Sequence, residues 1–300
     1  MTSTEDSVKE LDPKNVELLG KFVSDIRYGK LQGNLKIALT TVSFLEQLIS
    51  ESQNATAYEL CSMLRAVGWR ICRTLPHEIV PANMVRRVLR AIRDENRAQA
   101  NQLWRTIQCG DAIFFVFPPK TISFPYIYFS NLSQHYPQLR AELESTFSSI
   151  SSQSRAHIGR GEVVLCAGSC ALLEGFLRAA PPHRALVAGG DRLRESHAMA
   201  ARLSTAGLSV TVISNAAIFA VMSRVNKVQF TLKLQPFSNA VILRMCCRHS
   251  DSDVTHVYAP MHDFLPPDQI TMFITNLGGS SPSYIYRLLS ELYDSRDNEL

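Results

Sequence analysis

The stretch of sequence that decides the fold is residues 162–190, EVVLCAGSCALLEGFLRAAPPHRALVAGG. It holds two short apolar runs, each followed by glycine, on either side of an amphipathic run that Pro181 and Pro182 end. The pattern predicts a strand at Glu162–Ala167, a helix at Cys170–Ala180 and a strand at Ala185–Ala188. Two strands joined by a helix of this length are typical of a parallel β-α-β unit.

The same alternation continues toward the C-terminus. The spacing predicts these further elements: helix Glu195–Ala206, strand Leu208–Ile213, helix Ala216–Arg224, strand Val225–Leu232, strand Val254–Ala259, helix Pro267–Leu277 and helix Pro282–Tyr293. We therefore predict an α/β protein with a Rossmann-like, mostly parallel, doubly wound domain over residues 159–300.

The first hundred residues show helical periodicity instead. Apolar residues recur at helical spacing in Val16–Tyr28, Ile37–Ile49 and Thr56–Leu75, and a fourth helix is predicted over Pro81–Trp104, with Asn83 as its N-cap. The chain then becomes aromatic and rich in proline. We predict a helical domain over residues 1–110, an aromatic connector and helix over 111–158, and the Rossmann-like domain after it.

The fourth predicted helix carries two stripes of side chains. Its apolar stripe is Val85, Val88, Leu89 and Ile92, and its second stripe is Arg86, Arg90, Arg93 and Arg97. Residues 61–110 contain nine arginines and no lysine. Because guanidinium groups pair with carboxylates or phosphates through two hydrogen bonds, the second stripe is either a docking face for an acidic or phosphorylated protein surface or a solvated helix face.

Composition excludes several classes of protein. The 300 residues are 46% hydrophobic and 19% charged, with a net charge of +4, which is too small to predict direct nucleic-acid binding. The acidic start Met1–Glu10 does not resemble a secretory signal, and no apolar run is long enough for a membrane helix. Seven cysteines without a Cys-x-x-Cys pair favour a reducing compartment, so we predict a cytoplasmic protein of the cytosol that does not bind membranes.

No stretch of sequence predicts a catalytic centre, a cofactor or a metal. Cys166 and Cys170 follow the first strand, but no neighbouring residue would activate a thiolate. Cys246 and Cys247, with His249, have the chemistry of metal ligands, but adjacent cysteines fit one tetrahedral zinc poorly. Glycine-rich nucleotide-binding motifs are absent.

Several longer motifs resemble a known family. They are NAAIFAVMSRVNKV at 215–228, LPPDQITMFITNLGG at 265–279 and PSYIYRLLSELY at 282–293, joined by NMVRRVL at 83–89 and SHAMAARL at 196–203. Together they closely resemble the alpha/beta/delta regulatory-subunit family of eukaryotic translation initiation factor 2B, and within it the beta subunits. The resemblance covers nearly the whole chain.

The resemblance implies a non-catalytic regulatory subunit of the guanine-nucleotide exchange complex that acts on translation initiation factor two. It implies pairing with the delta subunit, assembly with the alpha, gamma and epsilon subunits, and control by phosphorylation of the substrate factor. It implies that the alpha subunit of that factor binds the helical domain at Asn83, Arg86, Arg87, Arg90 and Arg93. The C-terminal motifs imply a subunit interface formed by Asn276, Gly278, Gly279, Pro282, Tyr284, Tyr286 and Arg287.

Two alternatives remain open. The same fold occurs in sugar-phosphate (aldose–ketose) isomerases, whose catalytic cysteine would fall at Gly168 and whose catalytic aspartate is missing from Val228–Leu232. Residues 230–252 match the family poorly and are shorter than the family's usual segment, which predicts a sheet that is incomplete after residue 228. The chain is therefore either a regulatory subunit, an isomerase-like enzyme with displaced residues, or a defective isoform.

Overall fold

The computed structural model describes residues 13–52, 55–76, 78–108, 128–189, 193–230 and 265–297. These residues form two compact units. The helical unit comprises the described residues up to Leu143 together with those from Tyr286 onward, and the α/β unit comprises the described residues of Glu144–Lys233 and Leu265–Ile285. The sequence assigned all of 159–300 to one domain, whereas the structure places the last described segment with the helices.

The helical unit is built from α1 (Pro13–Arg27), α2 (Asn34–Glu51), α3 (Ala57–Thr74), α4 (Ile79–Gln108) and the first part of α5 (Tyr128–Ser152). The four helices predicted before residue 105 are confirmed. The predicted connector from 111 to 127 lies outside the described residues.

The starts of two helices show how local chemistry sets their bounds. Thr56 accepts a hydrogen bond from the backbone N–H of Glu59, and the Glu59 carboxylate accepts one from the backbone N–H of Thr56. This reciprocal capping box satisfies two free donors at the start of α3. The prediction that Asn83 caps α4 is wrong, because α4 begins four residues earlier at Ile79. Pro81 is tolerated in the first turn, where its missing N–H would have no helical partner.

The core of the helical unit is a continuous apolar cluster contributed by α1 to α4. Phe22 of α1 stacks on Phe44 of α2 with ring centroids 4.8 Å apart. The predicted apolar stripe of α4 is confirmed, since Val85, Leu89 and Ile92 are fully buried. The arginine stripe of α4 therefore lies beside a face that is fixed against the core.

The α/β unit continues with α6 (Ser154–His157), β1 (Val163–Ala167), α7 (Ala171–Ala179), β2 (Arg184–Gly189), α8 (Leu193–Thr205), β3 (Ser209–Ser214), α9 (Ile218–Val221) and β4 (Lys227–Phe230). The four strands form a parallel sheet in the order β3-β2-β1-β4. Register is regular, with Leu165 opposite Leu186 in β2 and Val228 in β4. The predicted parallel α/β architecture is confirmed.

Each face of this sheet is covered separately. One face packs against α7 and α8 through a cluster that includes Val164, Cys166 and Val187. The other face buries Leu165, Leu186 and Ala188, with half-buried side chains around α9 packed on them. Among the described strands, β4 is the last on its side, and the predicted loss of sheet beyond residue 228 concerns residues that are mostly outside the described ranges.

The predicted helix Pro267–Leu277 is wrong. Only Pro267–Gln269 forms a helical turn, and the following residues form the antiparallel hairpin β5 (Phe273–Thr275) and β6 (Gly278–Ser280). The predicted last helix is confirmed as α10 (Pro282–Leu292), and the predicted strand Val254–Ala259 lies outside the described residues. Over the described ranges, no helix is long and apolar enough to cross a membrane.

Candidate functional site

The arginine stripe of α4 holds the end of this same chain. Arg93 makes a bidentate ion pair with Asp297, with Nη1–Oδ2 and Nη2–Oδ1 distances of 2.6 and 2.5 Å. The Arg65 Nε lies 3.2 Å from Asp297 Oδ1, and the Arg93 Nη1 lies 3.4 Å from Asp294 Oδ2. The Asp297 side chain is fully buried. We call the set Arg65, Arg86, Arg90 and Arg93, with the segment 290–297 that it holds, the C-terminal clamp.

Two further arginines of the clamp bind backbone carbonyls. Arg86 is 2% exposed, and its Nε donates to the carbonyl oxygen of Asp297 at 3.2 Å while its Nη1 donates to Asn83 Oδ1 at 3.0 Å. Arg90 Nη1 donates to the carbonyl oxygens of Ser290 and Tyr293 at 2.5 and 2.8 Å. The carbonyls of Ser290 and Tyr293 lie at the end of α10, where helical partners are missing, so the Arg90 guanidinium satisfies them and complements the helix dipole.

The electrostatics agree with this geometry. Burial lowers the pKa of Arg86. Burial would also lower the pKa of Arg93, but its hydrogen bonds and charge interaction with Asp297 more than offset that effect and raise it. The hydrogen bond from Arg296 holds the pKa of the Asp294 carboxyl well below its usual value. The centre of the clamp, formed by Arg86, Arg93 and Asp297, therefore consists of buried charges whose partners are supplied by the chain itself.

The structure places the predicted partner-binding residues as follows. Asn83, Arg86, Arg90 and Arg93 are brought together at the clamp, whereas Arg87 points to α5 and pairs with Glu142 through two hydrogen bonds of 3.1 and 2.7 Å. The predicted carboxylate-binding chemistry is present, but the acids seen are intramolecular. Contact of these residues with another protein remains a prediction.

Sequence analysis missed three members of the clamp: Arg65, Asp294 and Asp297. Asp294 and Asp297 lie three residues apart immediately after an amphipathic helix, in the order Asp-Ser-Arg-Asp. That pair is the only local signal of an acidic ligand for the stripe. Its partner could not be read from the sequence, because Arg93 and Asp297 are 204 residues apart.

The predicted interface residues lie on the β5–β6 hairpin and on α10. The Thr275 hydroxyl donates to the Gly278 carbonyl at 3.0 Å and accepts from the Leu277 N–H at 3.1 Å, which fixes the turn at Asn276. Gly278 has φ +125°, a conformation that other residues rarely adopt. A Cβ at Gly279 would lie 2.9 Å from the Met272 sulfur and 3.2 Å from His157 Cε1, so a side chain there would have to displace these two neighbours.

This region leaves large apolar side chains in solvent. Leu277 is 63% exposed at the hairpin turn, and Tyr284 of α10 is 43% exposed. Pro282 begins α10. Tyr286, 46% exposed, and Arg287, which pairs with Glu291, belong to the segment that is assigned to the helical unit. Exposed aromatic and aliphatic side chains of this kind are typical of a protein–protein interface.

The described residues at the carboxyl ends of the parallel strands include two free cysteines, Cys166 and Cys170, and the polar pair Ser169 and Glu195. Cys166 is fully buried in β1, and burial raises its pKa to about 12. Cys170 caps α7, its sulfur accepting from the Leu173 N–H at 3.3 Å. Ser169 donates to Glu195 at 3.3 Å. A neutral buried thiol cannot act as a nucleophile at physiological pH. No group of three or more metal-ligating side chains occurs within the described ranges, and the Cys246, Cys247 and His249 set lies outside them.

These features define a two-unit protein of the helical plus Rossmann-like α/β class, with its polar groups arranged for internal ion pairing. A family model described as the initiation factor 2 subunit family matches residues 30–230. The chain therefore belongs to the initiation factor 2 subunit family, as the sequence motifs predicted.

Relatives match the chain over more than nine-tenths of its length. Translation initiation factor eIF2B subunit beta of Schizosaccharomyces pombe is 27% identical over 384 aligned positions that cover 94% of this chain and 97% of that protein. The Dictyostelium discoideum protein of the same name is 24% identical and covers 92% and 95%. The crystal structure of eIF2B beta from Chaetomium thermophilum has a TM-score of 0.69 at 20% identity, covering 99% of this chain and 96% of that one. The tetrameric eIF2B-beta2-delta2 complex of C. thermophilum contains a chain with the same TM-score and identity, covering 97% and 98%.

Proposed function

We propose that this chain is the beta-type regulatory subunit of the guanine-nucleotide exchange complex that acts on translation initiation factor two. The observation that carries the proposal is the match over nearly the full length of proteins named eIF2B subunit beta. The proposed role is to support exchange of GDP for GTP during translation initiation in the cytosol. Phosphorylation of the substrate factor would control that exchange through this subunit.

The proposal includes no catalytic activity for this chain. The buried, neutral thiol of Cys166 supports it, and so does Gly168, which stands where an isomerase would place its cysteine. Exchange activity would then reside in the epsilon subunit of the complex. Turnover of a ribose phosphate by the purified chain would contradict this part of the proposal.

We propose the delta subunit as the direct partner, with Asn276, Gly278, Gly279, Pro282, Tyr284, Tyr286 and Arg287 at or near the contact. The exposure of Leu277 and Tyr284 supports this assignment, because an obligate contact would remove these apolar surfaces from water. The tetrameric eIF2B-beta2-delta2 complex from C. thermophilum, which contains a structurally similar chain, supports the choice of partner. The alpha, gamma and epsilon subunits would join through that assembly.

We propose that the helical unit contributes to the surface that binds the alpha subunit of the substrate factor. Arg86 and Arg93 are engaged by Asn83 and by the segment ending at Asp297, so their proposed role is to hold that segment in position. Arg87 and Arg90 are half-buried on the same helix. Either guanidinium group would bind a partner protein in addition to the intramolecular contacts that it already makes. The proposed role of the clamp is therefore to hold in position the residues that form the docking surface.

The experiment is coexpression of the full chain with the delta subunit of the same organism, followed by affinity purification and size-exclusion chromatography. The expected result is a stable complex of the two chains. Leu277→Arg should weaken it, because a charge would replace an apolar contact, and Asp268→Asn, at an exposed residue, serves as the matched control. Failure of the wild-type chain to bind delta, with a broad unfolding transition, would favour a defective isoform.

A further inference from the structure

Strand β3 lies at one edge of the parallel sheet, and its outer side has no partner strand among the described residues. All six of its residues, Ser209–Ser214, pair with β2 in a regular parallel register from Arg184 to Gly189. In a parallel pair, only alternate residues direct their backbone N–H and C=O groups toward the neighbouring strand. The remaining N–H and C=O groups of β3 therefore point away from the described strands and can pair with a further strand.

This edge lacks the features by which most proteins keep sheet edges from pairing. Such edges are usually short or bulged, or they carry a charged residue or a proline. Residues 208–214, LSVTVIS, contain no charge and no proline, and the register with β2 has no bulge. Four of the six residues in the strand are β-branched, which favours pairing with another strand.

The side chains of β3 remain partly in solvent on both faces of the sheet. Val210 and Val212 pack toward α7 and α8 but are only half-buried. Ile213 packs on the opposite face and is also half-buried, while Thr211 on that face is exposed. A strand added beside β3 would cover these side chains from the side. Pairing would therefore remove apolar surface from water as well as satisfy backbone groups.

The flank of α8 beside this edge carries small side chains. Arg202 of α8 pairs with Glu174 of α7, so that side of α8 faces α7. Ala200 and Ser204 lie about 160° and 200° around the helix from Arg202, on the opposite flank. Because α7 connects β1 to β2 and α8 connects β2 to β3, this opposite flank lies on the side of the β3 edge. A second helix can approach α8 closely there.

We infer that the β3 edge is an interface at which β3 of a second copy of this chain pairs antiparallel about a two-fold axis, giving one continuous sheet. The strand is self-complementary in this arrangement. With the axis at Thr211, this residue lies opposite its own copy and Val210 lies opposite Val212. Ser209 then lies opposite Ile213. Thr–Thr pairs and β-branched pairs are favourable cross-strand contacts, and no charge meets a like charge.

An interface of this kind uses the same surface on both copies, so it closes after two chains. It involves none of the residues of the C-terminal clamp or of the proposed contact with delta. The inference therefore goes beyond the proposed function and does not depend on it.

The test measures the mass of the full chain by sedimentation velocity at about 1–100 μM, where weak dimers dissociate. A reducing agent is present because the chain has seven cysteines. We expect a dimer whose population rises with concentration. Thr211→Lys and Thr211→Glu each place like charges opposite each other, so each should raise the dimer Kd at least about tenfold. Ser223→Lys, at an exposed residue outside β3, is the matched control and should dimerise like the wild type.

An equimolar mixture of Thr211→Lys and Thr211→Glu tests the pairing itself. Opposite charges then meet across the axis, so the mixture should dimerise although each variant alone does not. Both variants should melt at the wild-type temperature, because the Thr211 side chain is exposed. A wild-type chain that stays monomeric over this range would overturn the inference, and so would a dimer that both variants leave unchanged. Failure of the mixture to associate would overturn the pairing at Thr211.

Discussion

Replacing Asp297 by asparagine should destabilise the helical unit by about 3–5 kcal/mol, the usual cost of removing one partner from a buried ion pair. The substitution keeps the size of the side chain but removes the charge between Arg93, whose side chain is 10% exposed, and Arg65. Most of the loss comes from Arg93, because its buried guanidinium keeps its charge and is left with the longer contact to Asp294, at 3.4 Å, in place of the bidentate pair. Arg65 is 41% exposed and adds little, since water can solvate it once the carboxylate is gone.

The assay is urea unfolding followed by tryptophan fluorescence, since Trp69 belongs to the helical unit. The midpoint should fall with little change in slope. Asp268→Asn, at an exposed carboxylate, should change the free energy of unfolding by less than about 0.5 kcal/mol. Arg93→Met combined with Asp297→Asn should cost less than the sum of the single changes, because the buried charge that has lost its bidentate partner is then absent. A loss below about 1 kcal/mol for Asp297→Asn would refute the buried clamp.

Three further predictions follow from single residues. Gly168→Ala should destabilise the α/β unit by about 1–2 kcal/mol in thermal unfolding, because its φ of +88° strains any residue with a Cβ; an unchanged melting temperature would contradict this. Cys166 should resist iodoacetamide at pH 8 until urea unfolds the chain, because burial raises its pKa to about 12; rapid labelling of the folded protein at this residue, read by peptide mass spectrometry, would count against the buried position. The pKa of Asp294 is lowered in the folded state, so its stabilising charge is present above the unfolded value of about 4 and is lost as pH falls further. Stability should therefore drop below about pH 4, less steeply in Asp294→Asn, and identical pH profiles would disprove the contribution of this carboxyl.

The sequence predicted those elements whose periodicity and local capping agree. Strand β2 was predicted within one residue of its bounds, and the helix predicted from Thr56 by its apolar spacing begins there because Thr56 and Glu59 form its capping box. The parallel sheet also followed from local pattern, because helices between the strands leave few other arrangements.

The helix predicted over Pro267–Leu277 is wrong because helical apolar spacing occurs in a segment that forms a hairpin. Ile270, Phe273, Ile274 and Leu277 have the i, i+3, i+4, i+7 spacing of a helix, yet residues 273–280 form a hairpin. Gly278 adopts a positive φ, and the Thr275 hydroxyl holds the turn, so local backbone chemistry prevails over the apolar spacing.

The arginine stripe shows the limit of sequence reasoning for the candidate site. Its carboxylate-pairing chemistry could be predicted, because arginine without lysine indicates bidentate binding. The identity of the acid could not be, because Asp297 reaches Arg93 only through the tertiary fold. The sequence of this helix face is therefore compatible with a docking surface and with an intramolecular clamp. Only the position of the acid in the structure identifies the clamp.

The measurement that tests the central proposal most directly is affinity purification of the tagged full chain from cells of its own species, with quantitative mass spectrometry of the bound proteins. We expect recovery of the delta, alpha, gamma and epsilon subunits of initiation factor 2B in amounts comparable to the tagged chain. Recovery of the chain alone, or with chaperones only, would contradict its assignment as a working regulatory subunit.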